Sequence, residues 1–519
     1  MIEALDLIMI AALCLGILAG YPVVFTLSGI AVLFALLGLA LGAFDIGLLG
    51  ALSTRIFAIL TNEVLIAIPL FVLMGLLLER SRIAEELLEE MGRLFGALRG
   101  GLAVSVIAVG ALLAASTGIV GATVTTMGLI ALPTMLRLGY DRRLAAGTVC
   151  TAGTLGQIIP PSTLLIILAE VMSSGYQQAQ YEQGKFSVET ISVGQVFAAA
   201  LVPGLLLVGL YLAYVLLLAA LKPELAPAPA GAAGQPIAWG RVFRVLVPPM
   251  ALIVAVLGSI LGGIATPTEA AAVGAMGALV MSGLKLAEGR SNLPVWLGLA
   301  ATVAMLVMTR FLDLRLGRDL SSGLEQAGIL AAAGLCVLLV WGTLVCLRRT
   351  LRARVLTPVL SGTMTVTSMI FAMMIGASLF SLVFRGLGGD LRVEAFLEGM
   401  PGGEAAAFVF VMLLIFVMGF FLDFVEISVI VLPIVVPVLL LMGMDPLWLA
   451  VMIAINLQTS FLTPPFGFSL FYLRGAAPKE VRTLDIYKGV LPFIALQAIG
   501  IALVYALPEI GTWLPRALF

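Results

Sequence analysis

The sequence predicts an all-α polytopic membrane protein made of two inverted-topology repeats, each with a re-entrant helical hairpin and a broken transmembrane helix. Three observations predict it. Of 519 residues, 61% are hydrophobic and only 11% are charged, more apolar surface than a soluble core can hide. One stretch occurs twice: LPTMLRLGYDRRLAAGTVCTAGTLGQIIPPS runs from Leu132 to Ser162, and VPVLLLMGMDPLWLAVMIAINLQTSFLTPPF from Val436 to Phe466. A constant offset of 304 maps Pro133, Gly139, Asp141 and Pro160-Pro161 onto Pro437, Gly443, Asp445 and Pro464-Pro465. Finally, the apolar regions 101–136 and 405–440 are too long for one straight span, and each is interrupted near its middle, by AASTGIVGAT at 114–123 and by GFFLDFVE at 419–426.

The elements follow in order. Apolar runs at 4–20, 23–42 and 57–78 have spanning length. Residues 79–100 form an amphipathic helix, with Ile83, Leu87, Leu88, Met91, Leu94 and Phe95 on one face and charges on the other; it suits the cytoplasmic surface. A hairpin at 101–136, a helix broken within 144–168 and a span at 195–221 complete the first repeat, 1–221. A Pro/Ala/Gly-rich linker occupies 222–244 on the cytoplasmic side. The second repeat, 245–519, has spans at 245–263 and 269–286, an inserted helix pair at about 285–355, a span at 357–384, a hairpin at 405–440, a broken helix at 447–473 and a span at 489–507. Gly20-Tyr21-Pro22 with Gly29 matches Ala265-Thr266-Pro267 with Gly274. With the N-terminus outside and the hairpins not crossing, most of the 28 Lys and Arg residues lie inside, among them Arg80, Arg142, Arg143, Arg348, Arg349 and Arg474. The first repeat then crosses five times and the second starts from the opposite side.

Composition excludes several functions. The net charge of −1 is dispersed, so nucleic acid is not an expected partner. Cys14, Cys150, Cys336 and Cys346 lie in apolar runs and suggest neither a disulfide nor a metal cluster. The N-terminal MIEALDL lacks a basic region, so the first apolar run reads as a retained span. The chain has no histidine, which removes the usual proton relay. Sodium needs only oxygen ligands and is the more economical coupling ion.

Paired interrupted helices in two halves point to a secondary transporter and its binding site. Around the first break, Ser116, Thr117, Gly118, Gly121, Ala122, Thr123, Gly153, Thr154, Gly156 and Ser162 are small or carry hydroxyls. Pro160 and Pro161 lack N–H groups and free carbonyls one turn earlier. The second set is Gly419, Asn456, Gln458, Thr459, Ser460, Thr463, Pro464-Pro465 and Phe466. Such hydroxyls and carbonyls suit a sodium cage; the competing reading is a Gly/Ser/Thr seam for helix packing. Asp423 and Glu426 at the second tip border the ion or substrate, or else cap the tip's N–H groups. Thr266, Pro267, Thr268 and Glu269 read as a helix-start motif.

ATPTEAAAVGA (265–275), the LGYD-to-IPPS block, GFFLD (419–423) and NLQTSFLTPPFGFSLFYLRGAAP (456–478) together resemble the large membrane (M) subunit of tripartite ATP-independent periplasmic (TRAP) transporters, of the dicarboxylate large-permease family. The form of the last motif is closest to the branch labelled for mannitol and chloroaromatic compounds. The resemblance covers nearly the whole chain except 285–355. It implies an elevator-type, sodium-coupled importer in the bacterial inner membrane, with no cofactor besides sodium as coupling ion. Such an importer takes an organic acid, a carboxylate or oxo acid, from an extracytoplasmic solute-binding protein, and works with a small membrane (Q-type) subunit. No domain precedes the first repeat, so that subunit is expected to be a separate chain. The family's sodium ligands map to Thr117, Gly118, Gly156, Ile159 and Pro160 in the first half, and to Gly419, Ser460, Thr463 and Phe466 in the second. Ile119 replaces a family serine and Ser460 a frequent glycine. Thr123, Thr154, Ser162, Asp423, Glu426, Asn456 and Thr459 remain as substrate or tip candidates.

Two other functions are weighed. A stand-alone sodium/dicarboxylate symporter would share the architecture but need no binding protein. An intramembrane enzyme would need a nucleophile–base pair or a metal cluster, and the sequence offers neither.

Overall fold

The structure is a computed structural model and describes residues 4–96, 98–117, 120–228, 239–287, 289–312, 314 and 323–519, with the side chains of 114–117 and 324 left aside. Every regular element among the described residues is helical. Among the described residues, eight helices are long and apolar enough to cross a membrane, and up to ten spans result if each of two bent pairs counts as one.

The chain starts with α1 (Leu5–Leu18), α2 (Val23–Ala40), α3 (Ala51–Leu60) and α4 (Glu63–Arg80). Residues 57–78 read as one straight span in the sequence, but α3 and α4 meet at 48°. Asn62 is the physical reason: its side chain accepts from the N–H groups of Val64 at 2.9 Å and Leu65 at 3.3 Å, starting a new helix there. Helix α5 (Ile83–Leu94) buries Ile83, Ala84, Leu87 and Leu88, as the amphipathic pattern requires. Helices α6 (Gly101–Thr117) and α7 (Val120–Arg137) form the first hairpin. Helix α8 (Arg142–Thr154), a 3-10 turn at Leu155–Gln157 and α9 (Thr163–Glu182) form the first broken helix, followed by α10 (Val193–Leu221).

Helix α11 (Trp239–Leu261) begins inside the segment read as linker, because Val242 and the residues after it already supply spanning hydrophobicity. Then come α12 (Pro267–Lys285), the pair α13 (Leu293–Phe311) and α14 (Gly323–Arg352), α15 (Leu356–Gly386) and the short α16 (Gly389–Glu398). The second hairpin is α17 (Gly403–Met418) with α18 (Phe424–Ile430) and α19 (Leu432–Leu441), the last two bent by 57° where Pro433 removes a donor. The second broken helix is α20 (Pro446–Leu462) and α21 (Phe468–Ala476), followed by α22 (Thr483–Ala506) and α23 (Glu509–Leu518).

The helices pack as two groups. In one, α4 lies on α12 and α15, and α15 on α2. In the other, α8 crosses α22, α7 lies on α21, and α9 on α19, so each hairpin grips the broken helix of the other half. The α8–α22 crossing needs glycine: a Cβ on Gly147 would strike the Gly489 carbonyl, and one on Gly489 the Arg143 carbonyl. The two copies of the repeated block are entered alike. Gly139 (φ 84°) and Gly443 (φ 105°) both turn through the left-handed region. Asp141 then accepts from the N–H groups of Arg143 and Leu144, both at 3.0 Å, and Asp445 from those of Leu447 at 3.0 Å and Trp448 at 2.9 Å.

Candidate functional site

The first break is built by Pro160 and Pro161, whose missing N–H groups end the helical ladder at Ile159, the last residue to bond back to Leu155 (3.0 Å). Ser162 opens α9 and donates its hydroxyl to the Gln157 carbonyl at 3.0 Å. Gly156, Ile159, Pro160, Thr154 and Ser162 are all buried within this one turn of irregular chain. The first hairpin reaches it: α6 and α7 both touch the 3-10 turn, and a Cβ on Gly153 would strike Val124. Thr123 is buried on the same stretch of α7. Gly118 lies outside the described residues, as does the side chain of Thr117.

The second break has the same plan. Thr463 ends α20, and Gly467 bonds back to its carbonyl at 3.0 Å across Pro464-Pro465. Both Pro-Pro peptide bonds are cis. Thr459, Ser460 and Thr463 donate their hydroxyls to the carbonyls of Ile455, Leu457 and Thr459 at 2.8, 2.8 and 2.7 Å. Each proton is thereby directed into the helix, and the oxygen lone pairs remain for another partner. Gly419 ends α17 directly against Ser460, whose Oγ occupies the place a Cβ would take. Asn456 fixes the same helix pair by donating to the Met412 carbonyl at 2.7 Å. Phe466 is partly exposed, its ring 5.5 Å from that of Phe421 at the hairpin tip.

Asp423 and Glu426 form a reciprocal cap on α18. The Asp423 carboxylate accepts from Phe424 N–H at 2.7 Å, and Glu426 accepts from Asp423 N–H at 2.9 Å. Thr266 and Glu269 make the same device at the start of α12, with Pro267 in its first turn. Thr268 donates to the Glu63 carbonyl and ties α12 to α4.

The two breaks meet. The side-chain amide of Gln458 donates to the Thr154 hydroxyl at 3.5 Å, and these two residues are separated by 304 positions, the offset that relates the copies. The contact therefore joins equivalent positions of the two copies of the repeated block. On the same elements, α8, the 3-10 turn and α20, are buried polar atoms without a partner among the described residues: both amide atoms of Gln157, the Gln458 carbonyl oxygen, and the Thr148 and Thr151 hydroxyls. Buried polar atoms are rarely left so. An oxygen-rich, partnerless seam suits a desolvated small cation or water. Sequence reasoning missed Gln157, Thr148 and Thr151; with Thr154 they recur every third residue from α8 into the 3-10 turn, and that spacing was the available signal.

It also missed a cleft. Between α3 and α15 on one side and α9, α18 and α19 on the other lies a cavity of about 690 Å³. Arg55, Arg385, Glu170, Glu182, Gln177 and Gln178 supply its polar lining. Few polar bonds cross between the helix groups here: Arg385 donates to Gln178 at 2.7 Å and to the Pro433 carbonyl at 3.3 Å, and Asn62 to Glu170 at 2.8 Å.

Membrane-length helices, two of them broken at matched Pro-Pro pairs, are the fold of a multi-pass membrane protein. The family model for the DctM component of tripartite ATP-independent periplasmic transporters matches residues 8–312 and 320–510, and the chain belongs to that family. It is 27% identical over 513 residues to the C4-dicarboxylate TRAP transporter large permease protein DctM of Vibrio cholerae, covering 96% of this chain and 95% of that one. It is 25% identical over 506 residues to the isethionate TRAP transporter permease protein DctMQ of Oleidesulfovibrio alaskensis, covering 96% of this chain and 65% of that one. The crystal structure of the Alcanivorax borkumensis YdaH transporter shares the fold, with a TM-score of 0.51 at 15% identity over 90% of this chain and 88% of that one. The chain is therefore a solute-import permease of the bacterial inner membrane and one component of a tripartite system.

Proposed function

We propose that this permease imports an organic acid with sodium, by an elevator movement in which the hairpins and broken helices travel together against α1–α4, α12 and α15. The observation that carries the reading is the pair of matched breaks meeting at Thr154 and Gln458. Their hydroxyls offer lone pairs, and Gln157 and Gln458 offer amide oxygens with no partner among the described residues. Oxygen donors without histidine suit sodium, which is cargo here. The Arg55 and Arg385 guanidiniums in the cleft suit an anion on its way to the tips. The two relatives named above bear the names of C4-dicarboxylate and isethionate, so the substrate class fits while the particular acid differs between family members. The hairpins interlocked across the two halves support movement as one body, and the sparse polar bonds to α3, α4 and α15 support sliding.

In this reading a binding protein delivers the acid at the outer face, and a small membrane subunit docks on the 1–60 and 357–384 spans. That subunit is a separate chain, although the isethionate relative named DctMQ is longer than this one. The test is uptake into proteoliposomes holding all three components. Accumulation is expected with an inward sodium gradient and binding protein, and not when either is omitted. Full uptake on a proton gradient without sodium contradicts the coupling. Full uptake without binding protein favours a stand-alone symporter.

A further inference from the structure

The inserted pair α13–α14 has no counterpart in the first half, and the import reading gives it no task. Its basic end carries a built pocket. The stretches 285–292 and 347–355 meet there, with six basic residues against the single acidic Glu288, which lies outside the described residues. Lys285 is already paired with Glu86 at 3.2 Å. The pocket, of about 320 Å³, is lined by Leu286, Arg290, Arg349, Arg352 and Ala353. Arg349 is its floor. It is only 5% exposed and donates to the Gly283 carbonyl, the Ser291 carbonyl and the Asn292 side-chain oxygen, each at 2.8 Å. All three acceptors are neutral, so the geometry of Arg349 is fixed while its charge has no carboxylate beside it among the described residues. A buried cation without a counter-charge is costly. Arg352 stands exposed at the rim and has no side-chain partner among the described residues.

The pocket opens where the apolar surface begins. Leu293, Trp296, Leu344 and Leu351 on the adjoining turns of α13 and α14 are all exposed. An exposed tryptophan at this level is the usual marker of the membrane–water interface. Basic pockets between spans on the cytoplasmic side suit anionic lipid headgroups.

We propose that this pocket binds the phosphate of an anionic phospholipid, with its acyl chains lying along Leu293, Trp296 and Leu351. The Arg349 and Arg352 guanidiniums supply the phosphate donors, and Arg290 adds its positive charge to the same pocket. Free phosphate shares this chemistry but gains nothing from the apolar surface.

The test uses the purified full chain in detergent, titrated with phosphatidylglycerol, cardiolipin, phosphatidylcholine or inorganic phosphate, and read by native mass spectrometry and thermal stability. Phosphatidylglycerol and cardiolipin should remain bound and raise the melting temperature, while phosphatidylcholine and inorganic phosphate should not. Arg290→Gln with Arg352→Gln, both exposed positions, should weaken binding about thirtyfold. Arg82→Gln with Arg137→Gln removes the same charge elsewhere on that face and should change binding little. Equal stabilisation by inorganic phosphate overturns the lipid assignment. Equal loss in both double variants, or no preference for anionic lipid, overturns the site.

Discussion

Gly419→Ala probes the contact between the second hairpin tip and the second break. The backbone does not oppose it, since Gly419 has φ −65° and ψ −5°, ordinary for alanine. The obstacle is Ser460: an alanine methyl would lie 2.6 Å from its Cβ and closer still to its Oγ. Overpacking of this kind costs about 1–3 kcal/mol. The Asn456 bond to the Met412 carbonyl and the Phe421–Phe466 contact hold the hairpin on either side, so the strain should fall on the gap between Gly419 and α20. If all of it opposes the ion-bound arrangement, sodium affinity falls about 5- to 150-fold. Ser460→Gly in the same chain removes both clashing atoms and keeps the carbonyl, so the double variant should return most of the affinity. The assay is the sodium concentration for half-maximal uptake in proteoliposomes with all three components, corrected for membrane abundance. Wild-type sodium dependence in Gly419→Ala refutes the reasoning. So does a double variant as impaired as the single one.

The cap at the tip and the cleft give two further expectations. Asp423→Ala should lower stability in detergent by about 0.5–2 kcal/mol through loss of the α18 cap, and Asp423→Asn by much less; equal melting temperatures for the two variants contradict the cap. Arg385→Gln removes a guanidinium that lines the cleft; a hydrogen bond from it to an anionic substrate is worth about 1.5–3 kcal/mol, so the apparent KM for substrate should rise about tenfold or more, and an unchanged KM excludes Arg385 from the substrate's route.

The breaks were legible in the sequence because proline acts locally: Pro160-Pro161 and Pro464-Pro465 cannot donate wherever they sit, and Asp141 and Asp445 cap the helices that follow them. The helix-start role of Thr266 and Glu269 was legible for the same reason. Hydropathy marked the spans but not their bends. Asn62 splits an apolar run without lowering its mean hydropathy much, so α3 and α4 read as one. The amphipathic α23 follows the last apolar run and carries no spanning signal. The cleft was illegible because Arg55 and Arg385 are far apart in sequence and meet only through the packing of α3 on α15. Gln157 was not legible because a single amide in the sequence gives no sign of burial; the fold buries it with both polar atoms lacking partners among the described residues.

The central claim is that the second break holds the coupling ion, and Thr463→Val tests it most directly. Valine keeps the shape but removes the hydroxyl, which now donates to the Thr459 carbonyl at 2.7 Å and offers its lone pairs outward. A buried polar partner left unmade costs about 1–3 kcal/mol. The sodium concentration for half-maximal uptake should therefore rise about 5- to 150-fold, since each 1.4 kcal/mol is tenfold. Thr154→Val serves as comparison; its hydroxyl bonds to Thr151 and Gln458 rather than ending a break, and the shift should be smaller. An unchanged sodium requirement in Thr463→Val at normal membrane abundance would contradict the account.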